Sequence, residues 1–86
     1  MTADGFIARL VAGRSVHCTY VAGGLEGLIS AWSHDGRFVL TWEECPAGRQ
    51  YDESTYSRDE RREFASADEV LAFVEQAGHP ASAFEP

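Results

Sequence analysis

Three histidines, two cysteines and fourteen carboxylates are the residues of this chain whose types could do chemistry. His17 and Cys18 are neighbours in a segment of strand character, so their side chains point to opposite faces and cannot share a metal ion. His34 adjoins an Asp35-Gly36 turn and His79 falls in a helix-stop segment; neither Cys-x-x-Cys nor His-x-x-x-His spacing occurs. No metal site and no cofactor are expected. Neither cysteine has a histidine with an orienting acid near it in the expected layout, and Gly-x-Ser-x-Gly is absent. Gly23-Gly24 with Gly27 resembles a piece of a phosphate-cradling loop. It lies between two strands instead of ahead of a helix, which makes it a turn.

The carboxylates come in adjacent pairs, Glu43-Glu44, Asp52-Glu53, Asp59-Glu60 and Asp68-Glu69. Acid–base catalysis needs two carboxylates in unlike environments, one of them desolvated enough to hold a proton near neutral pH. These pairs fall at a strand end, in loops and at a helix start, where water reaches them. A solvated rim, or a surface for a basic partner, is expected in place of an enzyme site.

Charge is distributed unevenly. Residues 1–42 hold three acids and three arginines, whereas residues 43–86 hold eleven acids and four arginines, the whole formal charge of −7. An anionic chain without a basic stripe repels nucleic-acid phosphates and acidic membrane surfaces, so neither is expected as a partner. No apolar run is long enough to span a bilayer, and Met1-Thr2-Ala3-Asp4 does not begin a signal peptide; cytoplasmic residence is the expectation. Lysine and asparagine are missing and arginine is the sole strong base, a bias that a GC-rich bacterial genome imposes.

The elements that must position these groups follow from periodicity and turn chemistry. Phe6, Ile7, Leu10 and Val11 mark one face of a helix over Thr2 to Gly13, capped by Thr2 or Asp4; a strand starting near Phe6 competes with it. Ser15–Ala22, Leu25–His34 and Arg37–Glu44 read as strands joined by Gly23-Gly24 and Asp35-Gly36, two-residue hairpin loops. Such loops pair Tyr20 with Gly27, Cys18 with Ile29 and Val16 with Ala31, then Trp32 with Val39, Ala31 with Leu40 and Ile29 with Trp42. Residues directly opposite share a face. One face therefore collects Val16, Cys18, Tyr20, Ile29, Ala31, Phe38, Leu40 and Trp42, and a slip of one residue would undo that sorting. The same register separates Cys18 from Cys45 by roughly 10 Å across the sheet and about 10 Å along it, too far for a disulfide.

Beyond Cys45-Pro46-Ala47-Gly48-Arg49, a fourth strand over Gln50–Ser57 and a loop are both open, and Ser57–Glu63 reads as a solvated loop or single turn. Ser66 caps the last helix with Glu69 completing a capping box, Val70, Leu71, Phe73, Val74 and Ala77 give its stripe, and Gly78 and Pro80 stop it. The chain is thus expected to be one α+β domain over residues 1–78: an antiparallel three- to four-stranded meander with a C-terminal and an N-terminal helix on one face. A loosely held tail, 79–86, follows, with Phe84 tucked or free. Trp32 and Val39, opposite each other on the second face, are candidate interface anchors.

The order helix, three strands, helix resembles the double-stranded-RNA-binding domain. That family grips phosphates with a basic start to its last helix, where this chain has Ser66-Ala67-Asp68-Glu69, of opposite charge. Residues 36–78 are similar to small bacterial immunity proteins of polymorphic toxin systems. The likeness rests on Gly36-Arg37-Phe38-Val39-Leu40-Thr41-Trp42, then a polar acidic stretch, then Arg62-Glu63-Phe64-Ala65-Ser66-Ala67-Asp68-Glu69-Val70-Leu71-Ala72-Phe73-Val74. It implies a compact, acidic α+β protein that plugs a cognate toxin. The function expected is a non-catalytic cytoplasmic inhibitor presenting Glu43, Glu44, Asp52, Glu53, Asp59 and Glu60 to a basic protein. The alternative is a domain that forms a homodimer through Trp32 and Val39.

Overall fold

The computed structural model describes residues 1–48 and 53–86. Helix α1 spans Ala3–Val11, strands β1, β2 and β3 span Val16–Ala22, Leu25–His34 and Arg37–Pro46, strand β4 spans Arg58–Phe64, and helix α2 spans Ala67–Gln76. Short 3-10 turns lie at Glu53–Thr55 and Ala81–Ala83. The sheet is a four-stranded antiparallel meander in chain order, β1-β2-β3-β4.

Both hairpins turn through positive-φ residues, Gly23 (58°) with Gly24 (80°) and Asp35 (51°) with Gly36 (75°). That geometry matches the twist of the flanking strands and sets the expected register without a slip: Tyr20 faces Gly27, Cys18 faces Ile29, Ala31 faces Leu40 and Ile29 faces Trp42. The core follows from it. Val16, Cys18, Ile29, Ala31, Leu40 and Trp42 are buried against Phe6 and Leu10 of α1 and Ala67, Val70, Leu71 and Val74 of α2. Both helices therefore lie on one face of the sheet.

The helix ends are closed by their own side chains and backbone. Thr2 Oγ1 accepts from Gly5 N–H at 3.0 Å, and Ser66 Oγ accepts from Glu69 N–H at 3.2 Å. The Glu69 carboxylate reaches back to the N–H of Ala65, one residue before the cap. At the other ends, Gly13 and Gly78 take positive φ while Arg14 N–H bonds Arg9 C=O and His79 N–H bonds Val74 C=O, so both helices stop in the same glycine motif. Val11 and Ala77, expected in the apolar stripes, are exposed at these last turns.

Two expectations are corrected. The segment 57–63 is not a solvated loop or single turn; Arg58–Phe64 is β4, with Arg58 opposite Glu44 and Phe64 opposite Phe38. An edge strand tolerates charge because its side chains keep access to water, and here arginine stems supply the apolar surface. The Arg58 guanidinium stacks 3.6 Å from the Trp42 ring centre and that of Arg62 lies 4.8 Å over Phe73. Of the alternative strand over 50–57, residues 50–52 lie outside the described residues, and the remainder holds the 3-10 turn. The tail is also docked. Phe84 is buried, meeting Phe6 edge-on at 5.1 Å, and Glu85 exchanges two backbone hydrogen bonds with His17 on β1, at 2.8 and 2.9 Å.

Candidate binding face

Among the described residues, no helix lies on the second face of the sheet, the uncovered face. Alternation places His17, Thr19 and Val21 of β1 there, with Glu26, Leu28, Ser30 and Trp32 of β2, Val39, Thr41, Glu43 and Cys45 of β3, and Asp59, Arg61 and Glu63 of β4. Leu28 is 38% exposed, although it sits on an inner strand. Leu28 faces Glu43, Glu43 faces Asp59, and Glu26 faces Cys45 one step along. Three carboxylates thus gather at one end of the face. None of the three makes an ion pair among the described residues, whereas Glu63 lies 4.0 Å from Arg37 at the other end.

Between Glu26 and Glu43 lies a cleft of about 110 Å³, lined also by Gly27, Leu28, Cys45 and Tyr56. Burial, then the charges of Glu26 and Glu43, push the Cys45 thiol above its ordinary pKa. Cys18 is raised too, by burial and by Glu85, and both cysteines are free thiols. Neither is poised as a nucleophile, since the thiolate is the reactive form. Among the described residues, no three His, Cys, Asp or Glu side chains converge on a point where a metal ion could sit.

The residues singled out from the sequence do not form one edge. Glu43 and Asp59 share the uncovered face, but Glu44 and Glu60 project to the helix side of the sheet. Asp52 lies outside the described residues, and Glu53 begins the 3-10 turn. Trp32 is half-buried, and Val39, its partner as an expected anchor, is 0% exposed. Val39 lies on an inner strand with Trp32 on one side and Glu63 on the other, so it presents no surface to a partner.

On the helix side, Glu60 lies 3.1 Å from Arg58 and 3.3 Å from Arg62. Partial burial alone would raise its carboxyl, but the bonds and charges of the two arginines outweigh that and hold it below the usual carboxylate range. Glu44 is engaged in a second network. Trp42 Nε1 donates to Tyr20 Oη at 2.9 Å, and Tyr20 Oη donates to Glu44 Oε1 at 2.6 Å. The His79 ring stacks at 4.7 Å on Tyr20 and meets Trp42 edge-on at 5.2 Å. Burial and the Glu44 bond raise the Tyr20 phenol, with the Trp42 bond opposing them. Sequence reasoning missed this network, and its one signal was the pairing of Tyr20 with Gly27, a large ring opposite a residue without a side chain.

The chain matches no protein-family model, and neither the curated proteins nor the solved structures contain a match to it.

Proposed function

We propose that the protein is a non-catalytic binding protein of inhibitor or immunity type that docks a basic protein on the uncovered face of its sheet. The observation that carries this reading is the opposition of Glu43 and Asp59 across β3 and β4, with Glu26 nearby, around exposed Leu28. Like charges directly opposite each other destabilise a sheet. Lysines or arginines from a partner would relieve that repulsion while its apolar atoms cover Leu28. The formal charge of −7 would add long-range attraction, raising the association rate and making it salt-sensitive. The likeness of residues 36–78 to immunity proteins supports the same reading, and such a protein would act in the cytoplasm.

The test is to isolate the partner from the source cell by crosslinking and identify it. Its affinity is then measured for the wild type and for the Glu43→Lys/Asp59→Lys variant across a salt series. A basic partner is expected, bound about tenfold or more weakly by the variant and progressively more weakly as salt rises. Salt-indifferent binding, or equal affinity for the variant, refutes the reading.

A further inference from the structure

The two edges of the sheet are built differently. The outer strand β4 carries six consecutive charged residues, Arg58 to Glu63, which deter another strand from pairing with it. The opposite edge, β1, has no such protection beyond its first residues. The two bonds between His17 and Glu85 fix the hydrogen-bond phase of β1: His17, Thr19 and Val21 turn their N–H and C=O groups outward, while Cys18 and Tyr20 bond to β2. The tail satisfies His17 alone. Thr19 and Val21 aim four backbone groups outward with no backbone partner among the described residues, and only the Thr19 C=O is met by a side chain, the Cys18 thiol at a long 3.9 Å. Thr19-Tyr20-Val21-Ala22 contains no charge and no proline, and Val21 is 72% exposed.

We infer that this free edge, Thr19 to Ala22, takes an extended segment of the partner as a fifth strand, and that the segment carries lysine or arginine. The inference rests on the basic-partner reading and specifies how contact begins. Charge selects the occupant. Two carboxylates flank the edge: Glu26, opposite Val21, and Glu85, at the end of the tail beside His17. Neither β1 nor β2 contains an arginine. A second copy of the chain would bring the same two carboxylates and another formal −7 to this edge, whereas a basic strand brings their complement. Backbone pairing would supply the anchoring, and alternate side chains would reach the hollow between Thr19, Val21, Glu26 and Leu28, which runs onto the uncovered face.

The experiment uses the full chain, labelled for amide NMR, and three capped peptides. One is Lys-Val-Arg-Thr-Lys-Val-Arg, one is the same peptide N-methylated at alternate residues, and one has glutamate at every basic position. The basic peptide is expected to slow exchange of the Thr19 and Val21 amides, and N-methylation to weaken binding about tenfold through lost backbone bonds. Val21→Pro removes an outward N–H and leaves the β2 ladder intact, so it should weaken binding similarly; if that variant does not fold, the N-methylated peptide still decides. Binding that leaves Thr19 and Val21 unprotected but is lost in Glu43→Lys/Asp59→Lys overturns strand addition and leaves the face reading standing. Equal binding of the glutamate peptide overturns both. A concentration-dependent dimer that Val21→Pro abolishes puts a second copy on the edge and overturns the inference.

Discussion

Gly27 is the position where one added methyl group tests the Tyr20 network. It lies between Tyr20 and Glu44 in the register, and the Tyr20 ring crosses it to reach that carboxylate. A Cβ on residue 27 would fall within 3.0 Å of the ring and its hydroxyl, so Gly27→Ala must displace Tyr20. In an ordinary strand the change would stabilise by about 0.5–1 kcal/mol through the unfolded chain. Here it breaks the phenol–carboxylate bond, worth about 1 kcal/mol at a site this open to water. It also strips the acceptor from the indole N–H of buried Trp42, at a cost of about 1–3 kcal/mol. The net expectation is a loss of about 1–3 kcal/mol, and each kcal/mol lowers Tm by about 4–8 °C in a domain of this size. Urea and thermal unfolding of Gly27→Ala, alone and in a Tyr20→Ala background, measure it. The sign should reverse in that background, where the methyl group meets no ring. A second readout is ultraviolet titration of the phenol. Its raised folded-state pKa means that its contribution to stability is complete below the unfolded value of about 10 and is lost as pH rises through the folded value. Gly27→Ala should bring that pKa back toward the ordinary range. Equal effects in the two backgrounds, or a stabilised single variant, would refute the steric argument.

Phe84→Ala should cost about 3–5 kcal/mol, because a fully packed ring is removed from against Phe6; chemical denaturation gives the loss, and the His17 amide should exchange faster as the tail lets go. Glu60 has a depressed folded-state pKa, so its stabilisation is present above the unfolded carboxyl value and is lost as pH falls through the folded one; carbon-detected NMR titration reads the pKa, and unfolding curves of Glu60→Gln should show less change across acid pH than those of the wild type. Cys18 and Cys45 should both alkylate slowly at neutral pH and quickly in denaturant. A rapidly labelled native thiol would contradict the burial described for them.

The hairpins were legible because their information is local. Gly23-Gly24 and Asp35-Gly36 impose positive φ, and a two-residue loop leaves one register that gathers Ile29, Leu40 and Trp42 on a single face. Strand β4 was illegible because its inward side is apolar only through arginine stems: Arg58 and Arg62 lie on aromatic rings, which a hydrophobicity pattern scores as solvent-facing. The tail was illegible for a different reason. Phe84 is a lone aromatic whose site, beside Phe6, is created by residues some eighty positions away. For the candidate face, the types of Glu43 and Asp59 were visible, but their opposition depends on where β4 begins. The same uncertainty merged Glu44 and Glu60 with them, although those two belong to the other side of the sheet.

The meander order also sets how the chain can assemble. Every hydrogen-bonded strand pair joins neighbours in sequence, two of the three through two-residue turns, so pairing β1, β2 and β3 incurs little loop entropy. The helix layer is different: α1 meets α2, and Phe6 meets Phe84, only when the two ends of the chain come together. Hairpin formation can precede that closure, which places the costly long-range contacts late on the folding route. Changes in the turns should then alter the folding rate, while changes where α1 meets the tail should chiefly accelerate unfolding.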